Sequence, residues 1–131
     1  LDGGSGGRLL GAIRATDLMS TYFAAVPVSA KIREVRERLL TVPHAEVFVV
    51  DGDGILGGTI TLADLSEDTL DGSSDGLLNA NDVARHHPPV AEANGGIAQA
   101  LRLMRDSGEE YVAVVETRDA KTWRGVTARP N

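Results

Sequence analysis

Thr61 and Asp64 stand three residues apart, just after the strand-like stretch 55–60, and two chemistries fit that spacing. A threonine at a helix N-cap with an acid at the third helical position makes a capping box, which satisfies orphan amides and needs no ligand. A carboxylate and a hydroxyl at the start of a helix can also offer hydrogen bonds to a bound ligand. Neither role excludes the other. The remaining polar clusters point less sharply. His44, His86 and His87 lack any cysteine beside them, and adjacent histidines on a strand point to opposite faces, so no zinc set is gathered and no metal site is expected. Asp51-Gly52-Asp53-Gly54 lacks the later acids of a calcium loop and reads as a hairpin turn. The acids Glu67, Asp68, Asp71 and Asp75 make a solvated loop or, at most, a weak site for a hard cation. Tyr111 has the face to stack on a base, although a strand tyrosine is more often half-core. No nucleophile stands beside a base and no metal triad is visible, so no catalytic residues and no enzyme activity are expected.

The elements that must hold these residues occur twice. Val49-Val50-Asp51 stands over Val114-Val115-Glu116, Ile32 over Ile97, Leu39 over Met104, and Ala15-Thr16-Asp17-Leu18 over Ala80-Asn81-Asp82-Val83, at a constant offset of 65. A repeat of this length is one supersecondary unit that covers its apolar face with a copy of itself. In the first copy Thr16 is expected to cap a short turn, and Val26-Pro27-Val28 is extended. Ser29 is read as the cap of a helix through about Leu40, with Ile32, Val35, Leu39 and Leu40 on one stripe and Pro43 at its stop. Strands 47–50 and 55–60 flank the Asp-Gly turn, and residues 61–65 open a helix. In the second copy 86–90 is extended, Asn94 caps a helix with the stripe Ile97, Ala100, Leu101 and Met104, and Tyr111 to Val115 pairs with Trp123 to Thr127. The expected organisation is a flexible leader 1–14, a first repeat 15–65, an acidic linker 66–79 and a second repeat 80–131 cut short at its C-terminal end. The fold class is α/β (α+β): two pseudo-symmetric repeats, each a small three-stranded sheet with helices packed on it.

Composition narrows the partners. The 131 residues suit one compact domain or two intimately packed halves. A net charge of −6 argues against nucleic acid and against an anionic membrane surface. Aromatics are only 4 % of the chain, so the core must be built from Val, Leu, Ile and Ala. The absence of cysteine excludes disulfides and thiolate sites. No stretch approaches the roughly 20 apolar residues of a membrane span. The Gly-rich start without an initiator Met reads as a piece cut from a longer protein.

The ordered series of extended Val-Pro, amphipathic helix, Val47-Phe48-Val49-Val50-Asp51-Gly52-Asp53-Gly54 and Gly58-Thr59-Ile60-Thr61-Leu62-Ala63-Asp64-Leu65 resembles a CBS domain. Two in tandem resemble a CBS pair, or Bateman module, over about residues 15–127. The wording of 44–51, 59–65 and 87–90 is most similar to the cytosolic C-terminal CBS pair of ClC-family chloride channels and antiporters. The resemblance implies an adenine nucleotide (ATP, ADP or AMP) as regulatory ligand in a cleft between the repeats. Thr61 would face the phosphates and Asp64 the ribose, with His87, Pro88, Tyr111 and Val112 around the base. The second copy has no Asp where Asp64 stands, and in ClC-type modules the ribose Asp belongs to that copy. The implied setting is the cytoplasmic domain of an inner or plasma membrane protein, attached to the membrane domain of its own full-length chain. The alternatives are a ligand-free assembly module of the same transporter, or a CBS pair from an enzyme or a magnesium transporter.

So short a chain has little core to spare for the apolar residues its helices present. A two-fold homodimer formed through helices of both repeats is therefore expected. Light scattering at tens of micromolar should give twice the chain mass; a monomer mass would count against it.

Overall fold

The computed structural model describes residues 13–20, 25–42, 45–73 and 75–128. Pro43, His44 and most of the expected leader lie outside them. The chain forms two compact units, one of residues 22–88 and one that joins the N-terminal segment through residue 21 to residues 89 onward.

In the 22–88 unit the strand order is β2-β3-β4-β5, with β2 Ala25–Pro27, β3 Glu46–Val50, β4 Leu56–Thr61 and β5 Arg85–His86. Strand β2 runs parallel to β3 and the remaining pairs are antiparallel. Helix α1, Ile32–Thr41, is the crossover between the parallel strands. It buries Ile32, Val35 and Leu39. Val35 and Leu39 join Val26, Val47, Val49 and Ile60 in one apolar core. Leu40 does not share the stripe and is 66 % exposed, because it stands about 100° round the helix from Leu39. Strand β3 buries Val47, Phe48 and Val49, as its unbroken apolar run predicts, and Glu46 with them. Its hairpin is held by Asp51, whose Oδ1 accepts from the N–H of Asp53 at 2.8 Å and of Ile55 at 3.0 Å. Gly54 supplies the positive φ of 81° that the turn requires.

The other unit has the same strand order: β6 Val90–Glu92, β7 Tyr111–Val115, β8 Trp123–Ala128 and β1 Met19–Ser20. Its crossover helix, α4 Ile97–Ser107, buries Ile97, Ala100 and Met104 and ends on Gly108 at φ 75°. Both hairpins carry a register shift at the same place, between Val49 and Val50 and between Val114 and Val115. The duplication legible in the sequence is thus a duplication of sheet, helix and bulge.

Each sheet has a fourth strand beyond the three expected, and each fourth strand comes from far away in sequence. Strand β5 follows helix α3, Ala80–Val83, and closes the edge of β4. Strand β1 follows a 3-10 turn, Ala15–Leu18, and closes the edge of β8. The same segments hold the starts of the crossover helices. Ala80 N–H donates to Ala30 O at 2.8 Å, and Ala15 N–H to Gly95 O at 2.9 Å. Ser29 and Asn94 are not caps. The N-cap positions are Lys31 and Gly96, neither with a side-chain bond. Ser29 lies in the turn closed by Ala30 N–H on Pro27 O, and Asn94 in the one closed by Gly95 N–H on Glu92 O. Thr16 is not a cap either; Arg14 holds that position and its N–H donates to Asp17 Oδ2 at 2.8 Å. Residues 66–79, expected as linker, contain helix α2, Glu67–Asp71, capped by Ser66.

Strand β5 approaches β4 so closely that a Cβ on Gly58 would stand 2.9 Å from the Arg85 carbonyl oxygen and 3.0 Å from Ala84 Cβ. One residue earlier, a Cβ on Gly57 would meet nothing nearer than 3.9 Å. Gly58→Ala should cost about 1–3 kcal/mol through overpacking, whereas Gly57→Ala should stay within about 0.5 kcal/mol of wild type. Urea unfolding of the two variants separates them, and equal midpoints would show that β5 yields freely.

Candidate functional site

Strand β4 ends at Thr61 and runs directly into a 3-10 turn, Leu62–Asp64. Thr61 is the N-cap of that turn and Asp64 its third residue, the spacing expected of a capping box. The Asp64 Oδ2 accepts from Thr61 N–H at 2.8 Å and from Thr61 Oγ1 at 3.0 Å. The expected helix is only this one turn. Leu65 is extended and Ser66 begins α2 with its own cap. A turn of three residues has no macrodipole to offer a phosphate, and the next helix opens on Glu67 and Asp68, which repel one. The ligand chemistry left to this turn is that of the carboxylate and the hydroxyl.

Two neighbours complete the setting. Arg85 Nε lies 2.9 Å from Asp64 Oδ1 and 3.1 Å from Oδ2, with side-chain exposures of 44 % for the arginine and 15 % for the aspartate. Glu46, directly across the ladder from Thr61, is buried and accepts from Thr59 Oγ1 at 2.5 Å. Around Thr61 the unit thus gathers two carboxylates and one guanidinium. Neither Arg85 nor Glu46 was found from the sequence. A two-residue strand carries no period to reveal β5, and a glutamate inside an apolar run reads as strand edge.

His86 and His87 do not lie on one extended run. His86 pairs with Gly58 in β5, its Nδ1 3.3 Å from Gly57 O, while His87 turns at φ 58° before Pro88. Because β5 is antiparallel to β4, each step from Arg85 towards His87 leads away from Thr61. The residue brought to Asp64 is therefore Arg85. Among the described residues no group of three or more His, Asp or Glu is placed to hold a metal ion.

Residues 15–68 match the family model of the CBS domain. Among curated proteins no sequence matches this chain. Solved structures do match in fold. A CBS domain-containing protein from Bacillus anthracis str. Ames Ancestor superposes with a TM-score of 0.77 at 19 % identity, covering 93 % of this chain and 91 % of its own. CBSX2 in complex with AMP gives 0.74 at 20 % identity, over 90 % of this chain and 91 % of its own. The cytosolic domain of the Mg2+ channel MgtE in complex with ATP gives 0.69 at 20 % identity, over 88 % of this chain and 46 % of its own. The fold is that of a CBS-domain pair.

The two copies of this fold are not chemically equivalent. Ala128 opposes Tyr111 where Thr61 opposes Glu46, so the second copy has no hydroxyl at that place. Ser20 opposes Val126 where Arg85 opposes Thr59. The residues at which a counterpart of Asp64 would fall lie outside those described. Of the residues assigned to a ligand by resemblance, Thr61, Asp64, His87 and Pro88 belong to the 22–88 unit, and Tyr111 and Val112 to the other. Tyr111 is half-buried at the start of β7, and Val112 is taken up in the core with Ile97 and Met104.

The acidic segment after α2 is not a free loop. Arg36 on α1 donates from Nη1 to Asp75 Oδ1 at 2.8 Å, from Nη2 to Asp75 Oδ2 at 3.0 Å, and also to Thr69 O at 2.9 Å. Asp71 accepts from the N–H of Ser73 at 2.8 Å and from its hydroxyl at 2.6 Å. The hydrogen bond from Arg36 holds Asp75 below the usual carboxylate range, and the two from Ser73 do the same for Asp71. Asp71 and Asp75 are thus already engaged. Because their folded pKa values are depressed, their contribution to stability is complete above the ordinary value and is lost as pH falls through the depressed ones. Asp75→Asn should therefore flatten the acid limb of the urea midpoint against pH below about pH 4, and a limb as steep as wild type would remove Asp75 from the account.

Proposed function

We propose that this chain is a regulatory CBS pair whose first copy takes the ribose of an adenine nucleotide on Asp64, beside the hydroxyl of Thr61. The observation that carries this reading is the Asp64 carboxylate itself. It is partly exposed at the end of β4 and oriented by the Thr61 N–H and hydroxyl. Two proteins of the same fold hold AMP or ATP. By resemblance alone, His87, Pro88, Tyr111 and Val112 are assigned to the base. A ligand that prefers one arrangement of the two copies shifts its population, and the pair passes that shift to the protein it is attached to.

The host is assigned to a ClC-type chloride transporter on the wording of residues 44–51, 59–65 and 87–90, with the pair as its cytoplasmic domain and a homodimer through its helices. No helix among the described residues is long and apolar enough to cross a membrane. The Mg2+ channel of like fold keeps a magnesium transporter as the alternative host. The second reading is a ligand-free assembly module, and Ala128 at the counterpart of Thr61 favours it.

At ten times its dissociation constant, a nucleotide that binds only the folded chain adds about 1.4 kcal/mol, which raises the melting temperature by a few degrees. Asp64→Ala should abolish that increment, whatever it does to the melting point without ligand. If millimolar ATP, ADP and AMP all leave wild type unmoved, the assembly reading stands. Equal increments in wild type and Asp64→Ala would place binding elsewhere.

A further inference from the structure

Strand β8 carries a hydroxyl that the fold leaves unsatisfied. Thr127 is fully buried, and its Oγ1 has no hydrogen-bond partner among the described residues. Thr127 opposes Val112, the place that Ile60 takes opposite Val47 in the 22–88 unit. Ile60 belongs to its unit's apolar core and has no polar group to satisfy. A buried hydroxyl without a partner bears its whole desolvation penalty, and the penalty ends once water reaches it.

The segment that shuts water out on this side of β8 is residues 13–20. Met19 lies beside Thr127 in the ladder, and the turn Ala15–Leu18 packs against β8. The hold on this segment is slight. Strand β1 has two residues. Among the described residues Ala15 is its one buried side chain, with Ile13 and Met19 half-buried on the same core. Backbone hydrogen bonds tie it to the start of α4, from Ala15 N–H to Gly95 O at 2.9 Å and from Ile97 N–H to Ile13 O at 3.0 Å. The equivalent segment of the other unit is pinned besides by the Arg85–Asp64 ion pair, whereas Ser20 stands at the place of Arg85 in β1.

We infer that residues 13–20 form a detachable strap on β8, and that Thr127 biases the strap towards release. With the strap off, β8 becomes the edge of its sheet and the hydroxyl gains water as a partner. At the equivalent place release would bring Ile60 towards water, which opposes opening. The two units therefore differ in the sign of this contribution, and the strap is a two-state element whose population can be shifted.

The test is amide hydrogen exchange of the whole chain at low urea, which separates local opening from global unfolding. The amides of Ala15 and Ile97 report the strap. That of Ala80, which donates to Ala30 O at 2.8 Å, reports the equivalent tie in the other unit. In wild type Ala15 and Ile97 should be at least about tenfold less protected than Ala80, and their exchange should ignore urea below the unfolding transition, because little surface is exposed. Thr127→Val keeps the shape and removes the hydroxyl, so it should raise protection at Ala15 and Ile97 about tenfold. Equal protection at Ala15 and Ala80 in wild type overturns the strap, and this comparison needs no variant. Protection at Ala15 that Thr127→Val leaves unmoved, with or without a rise at Ala80, overturns the part given to the hydroxyl and with it the inference.

Discussion

The structure depends on how two crossover helices begin. The first amides of an α-helix have no partner inside it, and Lys31 and Gly96 supply no side-chain cap to α1 and α4. The chain solves this with backbone. Ile97 N–H donates to Ile13 O at 3.0 Å, and Lys31 bridges Asn79 as Gly96 bridges Arg14. Residues that lead into one half of the sequence are thereby tied to the helix start of the other half. Once tied, they have only a few residues in which to turn and lie along a sheet edge, and this sets the position of β5 and β1.

The polar site is a by-product of that constraint. Strand β5 exists because the segment after Asn79 is anchored at Ala30, and Arg85 reaches Asp64 because β5 pairs with β4. Gly58 is the concession β4 makes to this approach. In the other unit the same architecture presents Ser20 and Ala128 at the places of Arg85 and Thr61. Equal folds with unequal chemistry mean that the scaffold and the site answer to different residues.

This also explains which parts of the molecule could be read from sequence. The stripes Ile32, Val35, Leu39 and Ile97, Ala100, Met104 repeat at helical spacing over ten residues or more, and both are buried. The hairpin at Asp51 is legible because turn chemistry is local. Ser29 and Asn94 mislead because the residues that favour helix caps also favour turns, and the turn lies two residues before the cap. Leu40 misleads because an apolar residue at a helix end need not face the core. The fourth strands are invisible because two residues show no alternation. Thr61 and Asp64 are found by their spacing, whereas Arg85 is found only when the register of β5 is known.

The exchange of segments has a consequence for synthesis. The 22–88 unit is continuous in the chain, so all of its strands exist as soon as His86 leaves the ribosome, and domains generally fold as they emerge. The other unit is interrupted by it. Met19 finds its partner only when Thr127 has been made, more than a hundred residues later. Until then a nascent chain carries one finished half and, ahead of it, a short unpaired edge segment waiting for its sheet. Pairings between residues so distant are slow to form. The unit that holds the polar site can thus be complete before its twin has begun to assemble.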